Sequence, residues 1–137
     1  MTSTVIDTNV ILDILGPEDV FQSWSVRRLA ASASEGVLII NPIVVSELAP
    51  ALSKSSLKAM LMKMMIGREN INFDAAHAAG VAHAAYRKAG GRRERTLPDF
   101  LIGAHASVSG HRLLTRDPAR YRSHFPEIEI IAPDTHP

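Results

Sequence analysis

Cysteine is absent from this chain. That excludes disulfides, zinc–thiolate centres and thiol nucleophiles, and it fits a reducing compartment. Aromatic residues are scarce at 5%, with Trp24 the only tryptophan, expected to fill the core. No sign of charge dominates: the formal net charge is +1, so global charge does not identify a partner and only local clusters can. No apolar run approaches the ~20 residues that span a bilayer, so no membrane association is expected. The start Met1-Thr2-Ser3-Thr4-Val5-Ile6 has no basic n-region or cleavage site. The expectation is a chain without a signal peptide, located in the cytoplasm. A phosphate-binding glycine loop ending in Gly-Lys-Ser/Thr is missing. No lysine follows Lys88, and Thr8 and Asn9, not a second acid, follow Asp7, which removes a phosphoaspartyl phosphatase or receiver domain. The six histidines show no H-x-x-x-H pair, so a histidine metal site is not expected and His105 is assigned to packing. Ser46 beside Glu47 has no clear base partner, which sets a serine hydrolase aside.

What is present is 46% hydrophobic residues in 137, enough for one domain with a true core. The domain is taken as residues 1–137, with the core over about 4–131 and a tail over 132–137 expected to fray. Thr4–Ile6 and Val37–Ile40 read as buried strands, with weaker strands at Asn70–Phe73, Leu113–Leu114 and Ile128–Ile131. Helical patterns run over Pro17–Ser34 (Val20, Trp24, Leu29 and Ala33 facing the core), from Asn41-Pro42 to Pro50, over Ser55–Ile66, Asp74–Ala89 and Leu97–Ser109. Strands alternating with helices predict an α/β fold, a parallel sheet covered on both faces. Leu57, Met60, Leu61, Met64 and Met65 form a wide apolar helical face, read as core, with Met62 raising a partner groove as the other reading.

Against this background four acids stand out. Asp7 ends Thr4-Val5-Ile6-Asp7; Glu47 interrupts Ile43-Val44-Val45-Ser46-Glu47-Leu48; Asp99 opens Asp99-Phe100-Leu101-Ile102; Asp117 follows Leu113-Leu114-Thr115-Arg116. Carboxylates are rarely buried unless paired or bound to a metal. Each has a structural alternative: Asp7 and Asp117 as helix N-caps, Asp99 as the third residue of a capping box opened by Thr96, Glu47 on a solvent-facing stripe. Two carboxylates ~4 Å apart repel by about 4 kcal/mol at an effective dielectric near 20, so convergence of four calls for a cation. Oxygen ligands suit Mg²⁺ or Mn²⁺. In parallel sheets, the carboxyl ends of the strands are where ligands bind. Arg87-Lys88-Ala89-Gly90-Gly91-Arg92-Arg93-Glu94-Arg95 holds a third of the 15 basic residues, just before Asp99. It reads either as a solvated loop or as an RNA-phosphate contact, with Arg92, Arg93 and Arg95 as candidates and Arg116 as a further one.

Val5-Ile6-Asp7-Thr8-Asn9-Val10, Ser46-Glu47-Leu48, Pro98-Asp99-Phe100-Leu101-Ile102-Gly103-Ala104-His105-Ala106 and Leu114-Thr115-Arg116-Asp117 together resemble the PIN-domain ribonucleases, over about Thr4 to Ile131. Among them the chain looks most like the toxin of a type II toxin–antitoxin pair, the VapC type. The resemblance implies a parallel sheet of about five strands and Mg²⁺- or Mn²⁺-dependent endoribonuclease cleavage of tRNA or another structured RNA. It further implies one or two ions, an antitoxin partner and a homodimer. Asp7, Glu47, Asp99 and Asp117 match the family's acidic ligands. Thr115 matches the threonine beside the last acid, and Asn9 the asparagine after the first. Some members carry a further acid near the last motif; here Pro118-Ala119-Arg120 follows Asp117 instead, which leaves the second ion open. The rival readings are a non-catalytic RNA- or protein-binding domain of the same fold, and another Mg-dependent phosphohydrolase.

Overall fold

Consecutive strand residues point to opposite faces of a sheet. Thr4, Val5 and Ile6 are all shut off from solvent, as are Leu38, Ile39 and Ile40 nearly so, which requires cover on both sides. The computed structural model, which describes residues 2–137, provides it. The order is β1 (Thr2–Ile6), α1 (Thr8–Leu15), α2 (Val20–Glu35), β2 (Gly36–Ile40), α3 (Pro42–Leu48), α4 (Lys54–Met64), β3 (Ile66–Arg68), α5 (Phe73–Lys88), α6 (Leu97–Ser109), β4 (Arg112–Leu114), a 3₁₀ turn at Pro118–Arg120, and β5 (Ile130–Ile131). All strand pairs are parallel, in the spatial order β3-β2-β1-β4-β5. The chain winds outward from β1 to β3, then returns to β4 on the other side of β1 and ends at β5. The winding therefore reverses between β1 and β4, where open α/β sheets bind ligands beyond the strand ends. No helix among the described residues is long and apolar enough to cross a membrane.

The elements follow local chemistry. Asn41 caps α3 by accepting from Ile43 N–H and Val44 N–H, with Pro42 at the first helical position. Gly110 closes α6 in the left-handed conformation at φ 71°. Gly103 in mid-α6 is required by packing: a Cβ there would lie 2.5 Å from the Phe125 ring and 3.1 Å from that of Tyr121. This close approach seats Tyr121 and Phe125 against α6, and Tyr121 reaches the site described below.

Several boundaries differ from the sequence reading. The third strand is Ile66–Arg68, not Asn70–Phe73; Asn72 instead caps α5 by accepting from Ala75 N–H. The preceding helix ends at Met64 because Met65 adopts a left-handed conformation (φ 56°) and its N–H bonds back to Leu61 O and Met62 O, which frees Ile66 to pair. A separate α1 precedes α2, and α2 starts at Val20, where Asp19 accepts from Gln22 N–H, not at Pro17. Trp24 and Leu29 face the core, but Val20 is 74% exposed and Ala33 is exposed too. On α4, Leu57 and Leu61 are buried, while Met62 and Met65 face outward at 82% and 85% exposure. β5 is confined to Ile130–Ile131. The tail is tied down where fraying is expected from sequence. Trp24 Nε1 donates to His136 O at 2.7 Å, Arg28 to Pro137 O at 3.0 Å, and Arg122 binds Asp134 through two nitrogens at 2.6 and 2.7 Å.

Candidate active site

Asp7 leaves the end of β1 and caps α1, its Oδ1 accepting from Thr8 N–H at 2.7 Å. Its Oδ2 accepts from the Thr115 and Tyr121 hydroxyls, each at 2.8 Å, and from Asn9 Nδ2 at 3.4 Å. Only 2% of Asp7 is exposed. Burial pushes its pKa up, outweighing the hydrogen bonds from Tyr121 and Thr115 and the charge of Arg120. Burial, reinforced by the Asp7 charge, likewise holds the Tyr121 phenol protonated far above its usual range, so it acts as a donor. Thr115, at the end of β4, also accepts from Asp117 N–H at 3.0 Å, joining the first acid to the last. Asn9 joins the same two strand ends by accepting from Arg116 N–H at 3.1 Å.

Glu47 is exposed on α3, but it is turned to the strand-one end, its Oε1 accepting from Thr8 Oγ1 at 2.7 Å. Asp99 is buried in the first turn of α6, where Oδ2 accepts from Thr96 N–H at 3.0 Å. It thus fills the capping role with one oxygen and offers the other, Oδ1, to Arg120. Asp117 does not cap the turn it precedes. Its carboxylate pairs instead with Arg120 Nε at 2.8 Å, and Arg120 Nη1 reaches Asp99 Oδ1 at 3.3 Å. Burial pulls the Arg120 pKa down, yet the charges of Asp99, Asp117 and Asp7 hold it above its ordinary value.

The acids are linked indirectly: Asp7 to Asp117 through Thr115, Asp117 to Asp99 through Arg120, and Glu47 to Thr8, the residue after Asp7. Among the described residues no three of the four bring carboxylate oxygens within 4.8 Å of one another. Three of these carboxylates, Asp99, Asp117 and Asp7, act on one guanidinium, that of Arg120, and every candidate ligand atom is a hard oxygen. A positive group already stands between two of them. This donor set fits a small divalent cation. Arg120, Tyr121 and Thr8 escaped the sequence reading as members of the site. Arg120 at i+3 from Asp117 was visible as an absent acid; nothing marks Tyr121.

Beside the acids lies a cavity of about 550 Å³ lined by Asp117 and Arg120 on one side and by Gly91, Arg92 and Arg95 on the other. The basic loop is pinned there. Tyr86 donates its hydroxyl hydrogen to Arg92 O at 2.7 Å, and the Arg95 guanidinium stands 5.7 Å from the Tyr86 ring centre. Gly91 permits this, since a Cβ would come within 2.5 Å of Tyr86. Arg93 is exposed and outside the cavity lining. Arg116 points elsewhere: Nε pairs with Asp13 at 2.6 Å and the guanidinium covers the Phe21 ring at 4.4 Å.

A second polar cluster was not anticipated from histidine spacing. Glu69, His105 and His111, far apart in sequence, bring one ligand atom each within 4.8 Å of the others. Glu69 Oε1 lies 2.9 Å from His105 Nε2 and 2.7 Å from His111 Nε2. The His111 hydrogen bond leads in holding the Glu69 carboxyl below its usual pKa. The proton placement decides its character. Asn41 Oδ1 is committed to two backbone N–H groups, so Asn41 Nδ2 is the donor facing His105 Nδ1 at 3.0 Å. His105 therefore carries its proton on Nε2 and donates it to Glu69. A metal ligand needs the opposite tautomer, with the remote nitrogen donating outward. The trio is a satisfied hydrogen-bond network, and His105, wholly buried, is part of the core as expected.

Residues 4–124 match the family model described as PIN domain. Among solved structures, the chain is similar to VapBC2 from Rickettsia felis bound to a DNA fragment from its promoter, at 17% identity and TM-score 0.72, covering 96% of this chain and 98% of that one. It is similar to a toxin–antitoxin complex from Klebsiella pneumoniae at 21% identity and TM-score 0.62, covering 93% and 95%. It is also similar to VapC20 of Mycobacterium tuberculosis, a sarcin-ricin loop cleaving toxin, at 17% identity and TM-score 0.57, covering 80% and 85%. No curated protein matches the chain.

Proposed function

Because the chain belongs to the PIN-domain family, we propose that it is a metal-dependent endoribonuclease, the toxin of a type II toxin–antitoxin pair that cuts tRNA or another structured RNA in the cytoplasm. The observation that carries this reading is the excess of carboxylates at the sheet's reversal point beside a cavity lined by arginines. Asp7, Glu47, Asp99 and Asp117 would hold Mg²⁺ or Mn²⁺. Such an ion supplies a water of lowered pKa and charge neutralisation at the phosphate. The chain's own groups do the rest. Thr115 and Tyr121 fix the orientation of Asp7, and Thr8 that of Glu47. Arg92 and Arg95 line the approach and bind backbone phosphates without reading bases. The toxin–antitoxin complexes among the structural neighbours support an antitoxin partner, and the VapC20 likeness supports RNA as substrate. A homodimer is part of the same proposal.

The test is incubation of the purified protein with total cellular RNA in Mg²⁺ or Mn²⁺, with and without EDTA, followed by mapping of cut ends. Discrete cuts that vanish with EDTA are expected. RNA retained but intact in both metals would show a binding domain instead.

A further inference from the structure

We propose that Arg120 is a tethered cation that holds one of two cation positions in the acid pocket, so that the pocket loads a single divalent ion and Arg120 meets the RNA phosphate where a second ion would. The part concerning RNA rests on the nuclease reading; the part concerning ion number does not.

Three observations carry this. First, Arg120 bridges two acids from different segments, Asp117 at 2.8 Å and Asp99 at 3.3 Å. A divalent ion seated between those carboxylates would have to displace the guanidinium. Second, the bridge uses Nε and one N–H of Nη1. A guanidinium has five N–H donors, and Nη2 has no hydrogen-bond partner among the described residues. The side chain is 40% exposed and lines the cavity shared with Arg92 and Arg95. The acids engage Nε and Nη1, so the N–H groups of Nη2 are the ones left to meet a phosphate entering that cavity. Third, Arg120 is firmly placed. It ends a 3₁₀ turn opened by Pro118, and the next residue, Tyr121, is fully buried with its N–H bonded to Pro118 O at 3.0 Å. The backbone of Arg120 is thereby held beside the acids, and its two ion pairs hold the guanidinium between them.

The test counts ions without RNA. Free Mn²⁺ is titrated by electron paramagnetic resonance into wild type, Arg120→Lys, Arg120→Ala and Arg120→Glu. Wild type and Arg120→Lys are expected to bind one Mn²⁺, and Arg120→Glu two. Arg120→Ala should bind its first ion about threefold or more tightly than wild type. In EDTA, Arg120→Ala should hold RNA about fivefold more weakly. Two ions in wild type, or the same number and affinity in all four proteins, would overturn the proposal. If Arg120→Glu fails to fold, the contrast between Arg120→Lys and Arg120→Ala decides it alone. One bound ion with no RNA cut would sink the nuclease reading and leave the ion count standing. No bound ion would sink both.

Discussion

Two carboxylate clusters sit on this small sheet, and they solve the same electrostatic problem in opposite ways. Around Glu69, supply equals demand: one carboxylate accepts from two imidazole N–H groups, and the far side of each ring is met by Asn41 or Ser3. Around Asp7, demand exceeds supply. Four acids share hydroxyls, a few backbone N–H groups and one guanidinium. A buried polar group is stable when paired and costly when not. The first cluster therefore completes itself and belongs to the structure. The second has more carboxylates than the protein groups around it pair, and two of them, Glu47 and Asp117, reach solvent. Proximity of ligand-type atoms is thus a poor guide: the tighter cluster is the self-satisfied one, and the looser, incompletely paired one is where the proposed function places the ion.

The largest effect that sharpens this contrast comes from Asp7→Asn. RNA cleavage is expected to fall at least about 100-fold, equivalent to about 2.7 kcal/mol of barrier. Apo stability should move the other way at pH 7. Burial raises the pKa of Asp7 in the folded protein, so the folded state holds the proton more tightly than the unfolded one. Its contribution to stability is lost as pH rises through the carboxylate range and regained on acidification. The Asn variant should therefore melt above wild type at pH 7 without metal, and the gap should close as pH falls towards the ordinary carboxylate value. The Thr115 and Tyr121 hydroxyls can rotate to accept from the amide. A variant that melts lower at every pH would make Asp7 a structural cap and remove the contrast.

The counterpart is His105→Leu. Filling the space with an apolar side chain strands Asn41 Nδ2, at a cost of about 1–3 kcal/mol. Cleavage per folded molecule should not change, and Zn²⁺ isotherms should be identical for the two proteins. Loss of one Zn²⁺ equivalent in the variant would turn the histidine trio into a metal centre and reverse the assignment of the two clusters.

The acid pocket was far more legible in the sequence than the histidine trio, and the reason is geometric. Asp7, Asp99 and Asp117 each adjoin a strand or helix whose apolar run is plain to read, so strand-end position follows directly from the pattern. Glu69, His105 and His111 come from a strand end, mid-helix and a loop, and only tertiary packing brings them together. The fold class was equally legible because buried parallel strands are β-branched on both faces. The short strands were not: β3 is Ile-Gly-Arg, and its existence depends on Met65 turning the chain onto β2. Asp99 completes the capping box with Thr96 and also pairs with Arg120, whereas Asp117 pairs with Arg120 and does not cap the turn it precedes. No local pattern distinguishes those outcomes.

The smallest effects separate arginines that face the anionic cluster from those that do not. Arg92 and Arg95 line the cavity beside Asp117, while Arg116 is already neutralised by Asp13 and covers Phe21. Replacing Arg92 and Arg95 together with Ala should lower RNA affinity and reduce the slope of log affinity against log salt by about 0.7 for each phosphate no longer neutralised. Arg116→Ala should leave that slope alone and cost the fold about 1 kcal/mol or less, the scale of a partly exposed ion pair with an aromatic contact. The measurement is binding in EDTA across a salt series, so that cleavage does not interfere. A slope change in Arg116→Ala equal to that of the double variant would place RNA across the Asp13 side of the pocket as well, and the basic loop would then be one flank of a wider binding surface rather than its defined edge.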